Sequence, residues 1–282
     1  MAFSILNNIA SLQAENSLAV TQSSLQSTLV QLSTGSRINS GADDAAGLAI
    51  ADGLHANEVA LQQSDNNTQD GIGKLQIADG ALSRVTSLLD RAITLATEAA
   101  NGVITSTQAT ALDNEFSHIK SEIDNIGNNT TFNGSSIFTA STTSIFISDS
   151  ASSYNITVQI DDLSSSGINA SSASGLAAVS LSGTALTSYS SATTALSDIN
   201  SALQNVASKR GEIGAVVNQL QSASTIINTQ VQNLTSAEDG IRAANIAQVV
   251  GRLSEENILN QTGISALAQA NASQQSVLGL LK

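Results

Sequence analysis

The 282-residue chain has no proline, no cysteine and no tryptophan. Average usage would give about fourteen prolines at this length. Proline breaks helix interiors and blocks central strands, so its absence permits very long unbroken helices. The absence of cysteine excludes a disulfide framework, a thiolate metal site and a cysteine nucleophile. Aromatic residues make up 2% of the chain, less than a compact core of this size normally uses. Basic residues are scarce too: 10 Lys and Arg stand against 23 Asp and Glu, for a net charge of −13. With no basic run and no aromatic stacking platform, nucleic acid is excluded as a partner. The same acidic balance opposes anionic membranes. No run approaches the roughly twenty mostly apolar residues of a bilayer span. The opening MAFSILNNIASLQAENS lacks the basic and apolar regions of a secretory signal, so export by a cleaved signal peptide is not expected.

What is present is 41% hydrophobic residues, many of them Ala, with Leu, Ile and Val spaced among Ser, Thr, Asn and Gln. That is too apolar for a disordered chain and suits long amphipathic helices that bury narrow stripes. Residues 16–36 and 257–281 carry no charge at all. Exposed helices normally carry Lys and Glu. Uncharged ends are therefore expected to be covered on more than one side, by neighbouring copies.

The C-terminal segment has a regular period. Ile246, Val250, Leu253, Asn257, Asn260, Ile264, Leu267, Asn271, Gln274, Leu278 and Leu281 alternate spacings of four and three. This is a heptad seam, and its amides lower stability while fixing register. The N-terminal segment has a shorter seam of Ile5, Ile9 and Leu12, then Leu18, Gln22, Leu25, Leu29 and Leu32. Two weak seams can pair with each other. Neither forms a stable helix alone, since most helical stability comes from packing. Both ends are expected to be disordered in the monomer.

Between the ends, STGSRINSGADD (33–44) reads as a linker, with Asp43 or Asp44 capping the helix that follows. That helix spans about Ala45 to Ala100, roughly 80 Å at 1.5 Å per residue. Gly71, Gly73 and Gly80 inside it point to close approach by another element. Asn101-Gly102 ends it, and a second helix covers about Thr107 to Asn125. SIFIS (144–148) and YNITVQI (154–160) alternate as a β-hairpin. Residues 139–195 hold 25 Ser or Thr among 57 and no Lys or Arg, which marks a solvent-facing insertion and a candidate for O-linked glycosylation. Helix resumes near Ala192, with Leu196, Ile199, Leu203 and Val206 on one stripe.

Catalytic chemistry finds little support. His55 and His118 have no spaced ligand cluster, so no metal site is expected. Asp70-Gly71-Ile72-Gly73-Lys74 lacks the Lys-Ser/Thr of a phosphate loop and sits inside a helix. Asp43-Asp44 and Asp161-Asp162 read as turn and cap residues. No G-x-S-x-G elbow is present. Neither an enzyme nor a cofactor is expected.

LSTGSRINSGADDAAGLAIAD (32–52), NNTQDGIGKLQIADGAL (66–82), LDRAITLATEAANG (89–102), NTTFNG (129–134) and AEDGIRAANIAQVVGRLSEENILNQTGISALAQANASQQSVLGLL (237–281) closely resemble the signature blocks of bacterial flagellins. The resemblance covers residues 1–138 and about 190–282. It implies a mainly α fold of long antiparallel helices and coiled coil, with a small β-hairpin and discontinuous N- and C-terminal domains. Residues 1–44 and 240–282 would be the halves of an inner coiled-coil domain. Residues 45–138 and 191–239 would form a helical outer domain, and residues 139–190 a short variable region. The implied function is a structural subunit that polymerises into the flagellar filament for motility. It would be exported unfolded by the flagellar type III system and act outside the cell. A hook–filament junction protein is the alternative. The implied partners are further copies of the chain, a filament cap, junction proteins and an export chaperone on the C-terminal segment. The polymerisation seam would comprise Ile5, Ile9, Leu12, Leu25, Leu29, Leu32, Ile246, Val250, Leu253, Ile264, Leu267, Leu278 and Leu281. In some members an Arg, a Leu and a Glu bind an innate immune receptor. They match Arg91, Leu95 and Glu115 here, which otherwise read as an interface face with an ordinary Arg91–Glu115 pair. Arg242 lacks the acidic neighbours usual in the family, which leaves its pairing open, with a neighbouring subunit as one source.

Overall fold

The computed structural model describes residues 8–148, 154–168 and 178–279, the side chains of 276–279 excepted. Its long elements are α1 (Ile9–Thr34), α2 (Ala45–Ala99), α3 (Ser106–Asn129), α4 (Tyr189–Arg242) and α5 (Ile246–Gly279). Among the described residues, six short strands lie between α3 and α4: β1 (Thr131–Phe132), β2 (Ser135–Ser136), β3 (Thr142–Phe146), β4 (Asn155–Gln159), β5 (Leu163–Ser164) and β6 (Gly167–Ile168). They pair in order as three antiparallel hairpins, β1–β2, β3–β4 and β5–β6. The fold is mainly α, as the missing prolines and the 3.6-residue periodicity lead one to expect. The hairpin read from SIFIS and YNITVQI is β3–β4, with Ile145 opposite Ile156 and Thr143 opposite Val158.

The chain divides into two compact units. The terminal unit combines Met1–Asn57 with Gln232–Lys282, and the central unit is Glu58–Val231. The division falls inside α2 and α4.

In the central unit, α2 buries Leu75, Ala78, Leu82, Val85, Leu89, Ala92, Ala96 and Ala99. The spacing alternates three and four, the signature of coiled-coil packing. On α4 the same repeat runs through Ala192, Ala195, Ile199, Ala202, Val206, Lys209 and Ile213. The sequence pattern placed Leu196 and Leu203 on this stripe. Both are only half-buried, and alanines one position away take the buried sites. Asp79 accepts two hydrogen bonds from Arg210 at 2.8 and 3.4 Å, and Asp65 accepts one from Ser224, so α2 and α4 are also tied by polar contacts. The α3 helix opens with a reciprocal capping box between Thr105 and Gln108 and buries Phe116, Ile119 and Ile123. The Lys120 ammonium lies 4.8 Å from the centre of the Phe116 ring.

The Ser/Thr-rich stretch is anchored mostly through its backbone. Asp124 accepts from the Ser165 N–H, and Asp113 from the Leu186 N–H. Lys120 donates to the Thr184 carbonyl at 2.9 Å, and buried Asn205 to the Ile168 carbonyl at 2.9 Å. Lys209, 4% exposed, donates to the Gln159 carbonyl and lies 2.9 Å from Asp161 and 3.0 Å from Glu212. Two glycines permit the close fit. A Cβ on Gly71 would meet the Ile145 side chain of β3 at 2.4 Å, and one on Gly127 would overlap the Leu163 carbonyl oxygen. The close approach read from the mid-helix glycines is therefore that of the hairpin at Gly71. Gly80 has open space where its Cβ would be.

Candidate self-association surface

In the terminal unit, α1 starts at Asn8, whose side chain accepts from the Ser11 N–H at 3.0 Å. It ends at Gly35 in the left-handed conformation, φ 71°. The linker beyond it is built by its polar residues. Asp43 accepts from the Asn39 and Ser40 N–H groups, and these backbone hydrogen bonds hold its carboxyl below the ordinary aspartate range. Of the two candidate caps, Asp44 is the one that accepts from the Gly47 N–H, at 2.8 Å. The linker zips onto the break between α4 and α5. Arg37 donates to the Arg242 and Ile241 carbonyls, and the Ala244 N–H to the Gly35 carbonyl. Arg242 pairs within the chain, at 3.0 Å from Glu238 and 3.6 Å from Asp52. Glu238 stands four residues earlier on α4, which corrects the reading that Arg242 lacks an acidic neighbour, and Asp52 comes from α2. His55 also meets a carboxylate that sequence proximity did not show, with Nδ1 3.3 Å from Glu238.

Helices α1 and α5 pair antiparallel, with Ser11 beside Asn271, Thr28 beside Glu256 and Gln31 beside Arg252. The covered stripe of α1 is Ser11, Ala14, Leu18, Thr21, Leu25, Thr28 and Leu32. That of α5 is Val249, Leu253, Glu256, Asn260, Gly263, Leu267, Ala270 and Gln274. Both keep strict three-four spacing. The α5 stripe is rotated by one residue in every other position from the seam legible in the sequence. Val249, Glu256, Gly263 and Ala270 take the places expected for Val250, Asn257, Ile264 and Asn271. Small residues explain the rotation: a Cβ on Gly263 would sit 3.2 Å from the Leu18 Cδ1, so the helices meet where α5 is thinnest.

The seam residues therefore separate. Leu25, Leu32, Leu253 and Leu267 are half-buried in the α1–α5 contact. Ile9, Leu12, Leu29, Ile246, Val250 and Ile264 stay exposed, at 45% to 68% of their full surface. Ile5, Leu281 and the side chain of Leu278 lie outside the described residues. Val20, Val30, Ile258 and Leu259 are exposed as well, and neither helix pattern had singled them out. Ile9, Leu12 and Val30 fall opposite the covered stripe of α1, so this helix is apolar on two faces. Glu256 and the small residues of the covered stripe were missed because a search for aliphatic heptads passes over Gly, Ala and Glu. The signal that could have found them is the seven-residue recurrence Val249, Glu256, Gly263, Ala270.

Arg91 and Glu115 meet across the α2–α3 turn, 2.7 Å apart and both about half exposed. The hydrogen bond holds the Glu115 carboxyl below the ordinary range and raises the Arg91 guanidinium. Leu95 does not join them on the surface. It is 1% exposed and faces the core of the central unit, so of the three positions matched through the resemblance only Arg91 and Glu115 lie on the surface. Lys74, in the glycine-flanked segment, donates to Thr143 at 2.9 Å and so serves the hairpin contact. Among the described residues, no helix is long and apolar enough to cross a membrane.

The terminal unit is thus a pair of long helices with Ile, Leu and Val exposed along both, an arrangement typical of structural, self-associating proteins. The bacterial flagellin N-terminal helical region matches residues 5–143, and the bacterial flagellin C-terminal helical region matches residues 196–281. A flagellin of Bacillus subtilis is 33% identical, over 99% of each chain. A flagellin of Halalkalibacterium halodurans is 31% identical over 99% of each chain, and a flagellar filament 30.7 kDa core protein of Treponema maltophilum 30% identical over 98% of this chain and 99% of its own. The chain belongs to the bacterial flagellin family, the structural subunits of the flagellar filament.

Proposed function

We propose that the uncovered stripes of α1 and α5 are the surfaces through which copies of this chain polymerise. The single observation that carries the reading is the concentration of exposed Ile, Leu and Val on two helices that carry almost no charge. Large apolar surface facing water marks an interface. Residues Ile9, Leu12, Leu29, Val250 and Ile264 act as knobs for a neighbouring copy. Leu25, Leu32, Leu253 and Leu267 hold α1 and α5 together behind them. Folding of the ends is coupled to docking at the filament tip, so the free subunit stays monomeric until it arrives.

The proposal extends to the route taken. The chain leaves the cell unfolded through the flagellar type III system, with an export chaperone covering the C-terminal segment, and is placed outside the cell beneath a filament cap. The full-length likeness to filament proteins favours the filament over the junction. No catalytic role is assigned. An immune-receptor contact rests on Arg91 and Glu115, the two surface members of the triplet; a reporter-cell assay with purified monomer tests it, and silence at high dose removes it.

The main test is seeded polymerisation of purified monomer followed by electron microscopy. A version lacking residues 1–36 and 257–282 is run beside it. Long filaments from the intact chain and none from the truncated one are expected. Only short caps on the seeds from the intact chain would favour the junction protein.

A further inference from the structure

The covered seam of the terminal unit contains one carboxylate where a coiled coil favours an aliphatic side chain. Glu256 lies on the α5 stripe between Leu253 and Asn260. Its Oε1 accepts a hydrogen bond from the Thr28 hydroxyl at 3.1 Å, and Thr28 itself is 4% exposed. Its Oε2 is shielded from solvent and accepts no hydrogen bond. The two helices offer little to neutralise it. Within Ile9–Thr34 and Ile246–Gly279 the charged residues are Glu15, Arg252, Glu255 and Glu256. Arg252, one turn away, donates to Gln31 at 3.1 Å instead. A carboxylate oxygen buried without a donor costs free energy whenever the helices pair, and recovers its water whenever they part.

Resting on the filament-subunit reading above, we infer that Glu256 holds α1 and α5 apart in the free subunit, so that the ends fold only when a second copy covers them. The pairing of α1 with α5 buries few large side chains, since Gly263, Ala270, Ala14 and Ser11 occupy much of the seam. One carboxylate whose second oxygen is shielded without a donor tips such a balance toward the open state. Burial of the outer stripes, Ile9, Leu12 and Val30 on α1 and Val250, Ile258 and Ile264 on α5, supplies the missing apolar area. In the filament that burial comes from another copy. The carboxylate thereby links folding of the ends to assembly, and it suppresses filament nucleation away from an existing end.

The test is amide hydrogen exchange, read by mass spectrometry on the full-length monomer, over residues 9–34 and 246–275. In the wild-type chain these segments are expected to exchange at close to open-chain rates. Glu256→Leu is expected to slow them by at least about tenfold, because the buried oxygen is removed and the aliphatic repeat completed. Glu255→Leu, an equal charge change at the exposed neighbouring position, is expected to leave exchange where it was. Should E256L aggregate, E256Q replaces it, with slowing expected in the same direction. E256L is also expected to shorten the lag of unseeded polymerisation. Protected ends in the wild-type monomer, unchanged exchange in both Glu256 variants, or equal slowing by E255L would overturn the inference. Failure of the wild-type chain to extend seeds is a separate result, and would count against the filament-subunit reading instead.

Discussion

The two units are built from the same helical repeat and put it to opposite uses. Among the described residues, 34 of the 37 buried hydrophobic side chains belong to the central unit and only Ile38, Ala51 and Val249 to the terminal unit. The exposed large hydrophobics run the other way, with 11 of 18 on the terminal unit. Both units have helices with strict three-four stripes. In the central unit a stripe holds Leu75, Leu82 and Leu89 fully buried among alanines. In the terminal unit the covered stripe is interrupted by Thr21, Thr28, Glu256, Asn260 and Gly263, its leucines are only half-buried, and Ile9, Leu12, Leu29, Val250 and Ile264 lie outside it. A heptad pattern alone therefore does not say whether a helix is completed within its own chain. What decides is whether the large residues sit on the covered side.

Substitutions that touch the central unit should break the contrast most strongly. Gly127→Ala places a Cβ on the Leu163 carbonyl, so α3 and β5 cannot keep their contact. A loss of about 3 kcal/mol or more is expected in chemical denaturation of the monomer, the range of severe overpacking. Leu89→Ala removes a fully buried side chain and should cost about 3 kcal/mol. The equivalent truncation in the terminal unit, Leu12→Ala, should leave the same denaturation curve unmoved while slowing seeded filament growth, because Leu12 is 59% exposed. Lys209→Met leaves Asp161 and Glu212 without their cation in a buried setting, and a cost of about 3 kcal/mol is expected by denaturation.

These expectations depend unequally on what the sequence shows. The helices were legible because their punctuation is local, in the linker 33–44 after α1 and Asn101-Gly102 after α2, though the Thr105–Gln108 capping box of α3 went unread. The β3–β4 hairpin was legible from strand alternation around Ile145 and Ile156. The register of α1 against α5 was not, because small residues decide it. An Ala or a Gly at every seventh position carries no hydrophobic signal, yet it sets how closely two helices approach. The burial of Leu95 was hidden for a related reason. Its i,i+4 relation to Arg91 gives a shared side of α2 but not which part of that side turns inward. Of the two partners of Arg242, Asp52 was out of reach because it comes from another helix, as were the backbone anchors of Asp113, Asp124 and Asn205, whereas Glu238 is an i,i+4 neighbour that the sequence does show.

The smallest expected effect sharpens the comparison at the surface of the central unit. Glu115→Gln removes an exposed pair with Arg91 and should barely change stability at neutral pH. The carboxyl of Glu115 is held below its ordinary range in the folded state, so what the pair contributes is present above the unfolded-state value and lost as pH falls through the folded one. The difference between the variant and the parent chain should therefore shrink to nothing in acid, which denaturation at a series of pH values from neutral downward would show.

The most direct measurement for the division of labour is seeded filament growth of a Leu12→Asp, Ile264→Asp chain, with thermal melting of its monomer alongside. Both substitutions put a charge on an exposed stripe and neither touches the central core. The account expects the melting of the parent chain and no elongation of seeds. Elongation at the parent rate would contradict it, and would move the assembly surface away from the open faces of the terminal helices.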